Sequence, residues 1–249
     1  KEGFQLWKSE IIKLKGILEN KFEVEITEED IKKAIKLKNQ ERQALKNMYE
    51  IGKLNPPAMS GMDILKVLYG STFKFDKNDA IKEVNELADR VRKEYEEGRR
   101  LDPKPRIVVT GCPIGGVTEK VVKAIEDNGA YVVAFENCMG AKAIDRLVDE
   151  SNEDVYDALA EKYLNIGCSC MTPNPNRIDL LSRMIDEYEA DGVVDVILQA
   201  CHTYAVETLS IKRFVNGEKE IPDMSIETDY SQSDIGQLNT RMAAFVEML

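Results

Sequence analysis

The cysteines are the side chains with the most distinctive chemistry, and three of them follow apolar segments that are predicted to be β-strands. Cys112 follows RIVVT, Cys138 follows YVVAF, and Cys201 follows VVDVILQA. Ligands of an open parallel sheet bind beyond the carboxyl ends of its strands, so these thiols are expected to lie along one edge. Thiolates bind soft metals and iron–sulfur clusters, and helix N-termini lower the pKa of a thiol toward its ligating form. The pattern therefore predicts a soft-metal site at this edge.

The remaining cysteines and the single histidine leave alternatives open. Any one free cysteine is more often a small buried apolar residue than a metal ligand. Cys168 and Cys170, in the loop GCSCMTPNPN, lack the CxxC spacing of structural zinc sites, and they could only improvise such a site with Cys201 and His202. His202 is a candidate acid–base group, but a hydrogen bond to a backbone carbonyl explains a loop histidine equally well.

Two further features could belong to a site at the same edge. The GCPIGG loop, with Gly115 and Gly116, could bring backbone N–H groups to an anion, although it matches neither GxGxxG nor the P-loop. A tight turn is the simpler explanation of these glycines. Glu227, Asp229 and Asp234 follow the last predicted strand, where they could act as acid–base groups or cap a helix.

The elements that would position these residues fall into two regions. Apolar spacing and capping residues predict four helices in residues 1–103, a segment without cysteine or histidine. Residues 104–249 alternate between short β-branched strands and helices, which predicts a parallel sheet with right-handed crossovers. We therefore predict an α/β protein: a helical N-terminal segment followed by a Rossmann-like or flavodoxin-like sheet of about four strands with helices on both faces. The predicted strands are residues 106–110, 131–135, 193–198 and 224–227, and a helix is expected over residues 141–148.

Composition narrows the possible partners and location. The chain has 249 residues and a formal net charge of −11, with the acidic excess concentrated after residue 100, which argues against nucleic acid as a partner. The sequence contains neither the run of about 20 apolar residues that a membrane span needs nor a signal-peptide pattern, so we expect a cytoplasmic protein. Five cysteines without export features are expected to be thiols or metal ligands rather than disulfides.

Several segments resemble the 2-hydroxyacyl-CoA dehydratase and benzoyl-CoA reductase superfamily, which includes 2-hydroxyglutaryl-CoA dehydratase D-component-like proteins. The resemblance is to the C-terminal half of that superfamily and is strongest to its double-cubane-cluster branch. LNPPAMSG, in the helical region, resembles the superfamily's middle segment. The matching C-terminal segments are RIVVTGCPIGG, VVAFENCMGAKA, YLNIGCSCMTPNPNRIDLL, VILQACHTYAVETLSIKRF and SIETDYSQSDIGQLNTRMAAFVEML.

The resemblance implies an oxygen-sensitive iron–sulfur protein with its cluster, a 4Fe-4S cluster or a linked double cubane, at an interface with a second homologous or identical subunit. It also implies an ATP-dependent iron–sulfur activator that delivers a low-potential electron. In the dehydratases that electron makes a ketyl radical of an (R)-2-hydroxyacyl-CoA thioester, the 2-hydroxyl leaves, and a 2-enoyl-CoA results. In the double-cubane branch, the implied reaction is reduction of small molecules.

The resemblance assigns one residue of this chain to the cluster. Cys201, in QACHTY, matches the ligand that family subunits carry near their C-terminus. The two ligands of the N-terminal domain have no counterpart, so we expect an upstream α/β domain to be missing and this chain alone to be inactive. The expected neighbours of the cluster are Cys112, Cys138, Cys168, Cys170, Gly115 and Gly116. The alternatives are a double-cubane reductase and a non-catalytic electron-transfer or binding module.

Overall fold

Capping residues set the limits of the helices in the N-terminal segment of the computed structural model, which describes residues 2–112 and 115–249. Thr27 and Asp30 form a capping box at the start of α2, and the side chains of Ser60 and Asp76 cap α3 and α4. The helices are α1 (Glu2–Phe22), α2 (Glu28–Tyr49), α3 (Gly61–Ser71) and α4 (Lys77–Glu96), with a 3-10 turn at Glu50–Lys53.

A four-stranded parallel sheet follows, in the order β2-β1-β3-β4. Its two central strands, β1 and β3, are buried almost throughout, as a parallel sheet covered on both faces requires. The strands are β1 (Arg106–Gly111), β2 (Tyr131–Phe135), β3 (Gly192–Leu198) and β4 (Asp223–Thr228), and the helices are α5 (Gly115–Asp127), α6 (Ala141–Ile144), α7 (Val155–Leu164), α8 (Pro175–Glu187), α9 (His202–Gly217) and α10 (Ile235–Val246). The predicted α/β class and the four parallel strands are confirmed.

One predicted helix is wrong in extent. The sequence predicts a helix over residues 141–148 after β2, but α6 ends at Ile144. The side chain of Asn39, on α2, accepts a hydrogen bond from the Val148 N–H and donates one to the Val148 carbonyl. These tertiary hydrogen bonds satisfy Val148 outside a helix, and so they compete with its continuation.

The helical segment packs against the sheet at the edge strand β2. The Tyr49 hydroxyl bonds both the carbonyl and the N–H of Phe135, and Ile64, Leu65 and Leu68 join the core formed by the strands. A Cβ at Gly52 would lie 2.1 Å from the Val133 carbonyl oxygen, so only glycine permits this approach. The boundary between residues 103 and 104 stays a prediction.

Helix α1 has a different environment from the other helices of this segment. It packs chiefly against α7, where Lys8 pairs with Asp154 and Asp157, and none of its described residues is buried. Most of its apolar side chains, Leu14 and Phe22 among them, are exposed. Across residues 2–112 and 115–249, no helix combines the length and apolar character that crossing a bilayer requires.

Candidate functional site

The cysteines lie along the carboxyl edge of the sheet, where the strand ends were predicted to place them. Cys112, Cys138 and Cys201 follow β1, β2 and β3. The Cys112 thiol contacts that of Cys201 and interacts electrostatically with Cys138, which in turn interacts with Cys168. The Cys168 and Cys170 sulfurs are 3.4 Å apart. We call this row of five thiols the cysteine rim.

Cys201 is the thiol of the rim that best suits ligation. It is the N-cap residue of α9 and is only partly buried, so its sulfur is accessible. A hydrogen bond from the Tyr204 N–H lowers its pKa, and burial opposes that effect only in part. Thr203 Oγ1, at 3.6 Å, and the Cys112 thiol also stabilise the anion. The thiolate is therefore favoured at this position.

Cys112 has the opposite properties. It is buried, and burial together with the neighbouring Cys201 raises its pKa to about 11. Gly111 makes its position possible: φ is +103° there, and a Cβ would lie 2.1 Å from the Val196 carbonyl oxygen. The Cys112 N–H donates to that same oxygen at 2.7 Å. Cys112 is thus a protonated thiol that donates to Cys201, rather than a second thiolate.

Cys138 combines an exposed side chain with a raised pKa. Crowding by surrounding protein atoms raises the pKa of its thiol, and the positive charge of Lys142 offsets part of that rise. Because the residue is nevertheless exposed, we expect small reagents to reach its sulfur. The hydroxyl of Tyr204, whose pKa is itself raised by burial, bonds this sulfur and joins the rim to the layer beneath it.

A buried network of charged side chains lies under the rim, and it was not predicted from the sequence. Arg177, from α8, contacts three carboxylates: Asp195 at 3.2 Å, Glu207 at 2.6 Å and Glu136 at 3.5 Å. Burial lowers the pKa of Arg177, but these carboxylates outweigh that effect and raise it overall. The available signal was Asp195, a charged residue in the middle of the apolar segment VVDVIL.

The network is completed by hydroxyl groups and by one lysine. Thr110 Oγ1 donates to Glu136 at 2.6 Å, and Thr208 Oγ1 donates to Asp195 at 2.9 Å. Lys142 Nζ lies 3.1 Å from Glu136 Oε1, although this ion pair lacks the geometry of a hydrogen bond. Among the described residues, that buried oxygen therefore has no hydrogen-bond partner. Burial raises the pKa of Asp195 despite the nearby Arg177 guanidinium.

The positions of the other candidate site residues say less about their roles. His202 is exposed at the first residue of α9. Gly115 and Gly116 begin α5, and the two residues of the GCPIGG loop before them lie outside the described residues. Asp234 makes no side-chain cap on α10, because its carboxylate accepts from Lys120 at 2.8 Å and from Thr228 at 2.5 Å.

Glu227 is exposed on β4, and the carbonyl of Asp229 accepts from Lys120 at 2.9 Å. The side chain of Asp234 is thus held in an ion pair with Lys120. The capping interpretation is therefore wrong for Asp234, and the acid–base interpretation stays a prediction.

Similarity to known proteins gives this edge of the sheet its chemical context. The profile of the family described as "2-hydroxyglutaryl-CoA dehydratase, D-component" matches residues 1–249. The chain belongs to this family. YjiM of Escherichia coli (strain K12), whose name describes a dehydratase subunit without stating a substrate, is 61% identical over 244 residues, which cover 98% of this chain and 63% of YjiM.

Two more distant relatives of this family member have named activities. The beta subunit of (R)-2-hydroxyglutaryl-CoA dehydratase from Acidaminococcus fermentans is 24% identical over 245 residues, covering 95% of this chain and 62% of that subunit. A benzoyl-CoA reductase subunit from Thauera aromatica is 29% identical over 133 residues, covering 53% of this chain and 30% of that subunit. The chain thus spans less than two thirds of the length of each of these curated relatives.

The donor atoms of this family member fit an iron–sulfur cluster only in part. Cys201 offers an accessible thiol with a lowered pKa, which suits one iron ligand. Over residues 2–112 and 115–249, no three His, Cys, Asp or Glu side chains converge as a metal site. A cluster bound here would therefore need further ligands from outside the described part of the chain.

Proposed function

We propose that this chain is part of the iron–sulfur subunit of a 2-hydroxyacyl-CoA dehydratase-type enzyme, a lyase that converts (R)-2-hydroxyacyl-CoA to 2-enoyl-CoA in the cytoplasm. The observation that carries the proposal is the accessible Cys201 thiol, which has a lowered pKa and lies at the carboxyl edge of the sheet in a chain of this family. The proposed partners are an ATP-dependent iron–sulfur activator and a second subunit. Because the proposed reaction needs both partners, the chain would be inactive by itself.

The cysteines of the rim and two nearby glycines have different kinds of proposed role. Cys201 binds iron through its thiolate, and the Tyr204 N–H and the Cys112 S–H donate to that sulfur. Hydrogen bonds of this kind stabilise charge on a ligating sulfur and so tune its iron centre. Cys138, Cys168 and Cys170 line the neighbouring surface. Gly115 and Gly116, at the start of α5, are proposed to lie near the same centre.

A cluster held at this edge would supply single electrons at low potential, which is the chemistry that removal of an unactivated 2-hydroxyl needs. The protein's own contribution is to hold the ligand and to control its surroundings. Beneath the rim, the carboxylates of Glu136, Asp195 and Glu207 face two cations, Arg177 and Lys142, and the formal excess of one negative charge opposes the arrival of further electrons. The arrangement is therefore suited to a centre of low reduction potential.

The test is anaerobic iron and sulfide analysis of the full-length protein and of its Cys201→Ala variant. We expect the variant to lose most of its iron and acid-labile sulfide, because a thiolate ligand is removed. Cys138→Ala is the matched control, since it removes an exposed thiol of the same rim and should retain the wild-type iron content. Unchanged iron content in the Cys201→Ala protein would refute the ligand assignment.

A second candidate function is reduction rather than dehydration, either of a thioester or of a small molecule at a double-cubane cluster. The similarity to the benzoyl-CoA reductase of Thauera aromatica favours it. Product analysis separates the two reactions. Dehydration of a 2-hydroxyacyl-CoA yields 2-enoyl-CoA with only catalytic electron input, whereas a reductase consumes electrons in proportion to product.

A further inference from the structure

The Cys168 and Cys170 thiols form a close pair at the outer end of the cysteine rim. Their sulfurs lie 3.4 Å apart, and the Cys170 thiol donates to Cys168. Cys170 is exposed and Cys168 is half-buried, so one thiol of the pair is open to reagents while the other lies behind it. This arrangement differs from that of Cys112 and Cys201, where the buried thiol supports an accessible thiolate.

The backbone around the pair is held in place. The Met171 N–H donates to the Cys168 carbonyl at 2.9 Å and closes a turn over residues 168–171. Asn174 Nδ2 donates to the same carbonyl at 3.0 Å and to Glu207 Oε1 at 2.7 Å, which ties the turn to α9. A Cβ at Gly167 would lie 2.7 Å from the Arg177 backbone nitrogen, so the turn is also packed against α8.

This geometry is close to what a disulfide requires. Residues i and i+2 have Cα atoms no more than about 7 Å apart, and in a turn they lie within the 4–7 Å or so that disulfides span. The two sulfurs, now 3.4 Å apart, would close to the roughly 2 Å of an S–S bond. The clamped turn therefore holds two thiols as neighbours before any oxidation takes place.

We propose that Cys168 and Cys170 form a reversible disulfide by exchange with a low-molecular-weight disulfide such as glutathione disulfide. The exposed Cys170 thiol, which bonds Cys168, first gives up its proton to solvent; its thiolate then attacks one sulfur of that reagent, forms a mixed disulfide and releases one small thiolate, which takes up a proton. Cys168 then attacks the Cys170 sulfur, closes the ring and releases the second thiol. The protein loses two electrons and two protons, and the small disulfide gains both. The proposal does not rest on the proposed dehydratase function.

The sequence makes the modification easy to detect. Trypsin places Cys112, Cys138 and Cys201 on three separate peptides, whereas residues 163–177 form one peptide that contains Cys168 and Cys170 and no other cysteine. Anaerobically reduced full-length protein would be equilibrated with mixtures of reduced and oxidised glutathione. It would then be quenched with acid, alkylated, digested and analysed by mass spectrometry.

We expect the 163–177 peptide to become lighter by two hydrogen atoms, to lose both alkylation sites together, and to return to the dithiol when reduced glutathione is restored. Cys168→Ser and Cys170→Ser should each stop at a glutathione adduct on the remaining thiol. Cys138→Ser should close as the wild type does. Asn174→Ala should lower the equilibrium constant for closure by about tenfold relative to Asn165→Ala, because the clamp on Cys168 is lost.

Three results would overturn the proposal. The peptide could remain fully alkylated under conditions that place glutathione on the exposed Cys138. Glutathione could instead accumulate on both thiols of the pair without ring closure. Finally, either cysteine could cross-link to Cys138 or Cys201, which would show that the pairing differs from the one inferred here.

Discussion

A buried arginine lies at each end of the central strand β1, Arg106 on the strand itself and Arg177 on α8, and the two arginines have opposite surroundings. At the amino end, the guanidinium of Arg106 donates to the carbonyls of Tyr188 at 2.8 Å, Leu54 at 3.0 Å and Gly52 at 2.8 Å. Burial lowers the pKa of Arg106. At the carboxyl end, Arg177 faces carboxylates, and its pKa is raised.

The two arginines differ in their partners, and the difference distinguishes an arginine that joins parts of the fold from one that lies beneath the candidate site. Arg106 uses neutral dipoles to join the helical segment to the sheet, and its donors are well satisfied. Arg177 and Lys142 face three carboxylates, a formal excess of one negative charge, and Glu136 Oε1 is left without a hydrogen bond from the described residues. Buried polar groups are normally satisfied, and exceptions concentrate at functional sites. The cysteine rim lies above the Arg177 network, which contains one such unsatisfied oxygen in the described part of the chain.

The largest expected effect comes from Arg177→Ala. This substitution leaves the buried carboxylate of Asp195 without its cation and leaves Glu136 with Lys142 alone, which should reduce the free energy of unfolding by about 4 kcal/mol. Urea unfolding monitored by circular dichroism measures the loss. Arg183→Ala is the control, because Arg183 makes an exposed ion pair with Asp145 and should cost less than about 1 kcal/mol. Equal losses of unfolding free energy in the two variants would contradict the inference that the buried ion pairs contribute more than the exposed one.

Arg106→Ala should cost somewhat less, about 2–3 kcal/mol, because it removes hydrogen bonds to neutral carbonyls and strands no buried charge. The same unfolding measurement applies, with the exposed Arg99→Ala as control. The alkylation rate of Cys201 should remain that of the wild type, since the change lies at the other end of β1. A large change in that rate would show that the two ends are coupled.

Cys201 and Cys112 should differ at least tenfold in their rate of alkylation by iodoacetamide at pH 8. The reactive species is the thiolate, which is favoured at Cys201 and strongly disfavoured at Cys112, where the pKa is raised to about 11. Peptide mass spectrometry after timed quenching gives both rates. Above pH 10 the Cys112 rate should rise as its thiol ionises. Comparable rates at pH 8 would contradict the assignment of Cys112 as the protonated neighbour.

Lys162 is another buried cation, and its substitution is expected to have the smallest effect on stability. Burial, and then the nearby Arg42 and Lys38, lower its pKa to about 8, and its ammonium lies 4.4 Å from the Tyr163 ring centroid. Between pH 8 and the ordinary lysine pKa of 10.5, the unfolded chain binds more protons than the folded one. Stability contributed by this group therefore rises with pH across that window.

Lys162→Met should remove this trend. The wild type should gain about 1 kcal/mol relative to the variant between pH 8 and pH 10, a value reduced for partial solvent screening. Urea unfolding at both pH values measures the gain, and Lys123→Met, an exposed lysine, is the control. A wild-type advantage that shrinks as pH rises would reverse the inferred sign.

The fold was largely predictable because its signals are local. Thr27 and Ser60 cap helices within one turn of their own position, and the β-branched segments around Val108 and Val194 form strands wherever helices can cover them. The prediction was wrong where a distant residue intervened, as when Asn39 took the backbone groups of Val148 across 109 residues. No local pattern contains that contact.

Only the cysteine rim of the candidate site was predictable from the sequence. The rule that strand ends share an edge placed Cys112, Cys138 and Cys201 together, and the structure locates them there. The buried charges were not predicted because Glu136, just after β2, and Arg177, on α8, lie 41 residues apart, and each alone is typical of a surface residue. The assignment of Cys201 as an iron ligand stays a prediction.

The hydrogen bonds of Tyr49 have a practical consequence for anyone dividing this protein. Strand β2 is an edge strand, and the Tyr49 hydroxyl occupies both backbone groups of Phe135 while Gly52 lies against Val133. Bare edge strands pair readily with other chains. A polypeptide that began at residue 104 would contain all four strands, but the edge of β2 would be exposed. We therefore expect it to aggregate unless residues 49–54 are supplied with it.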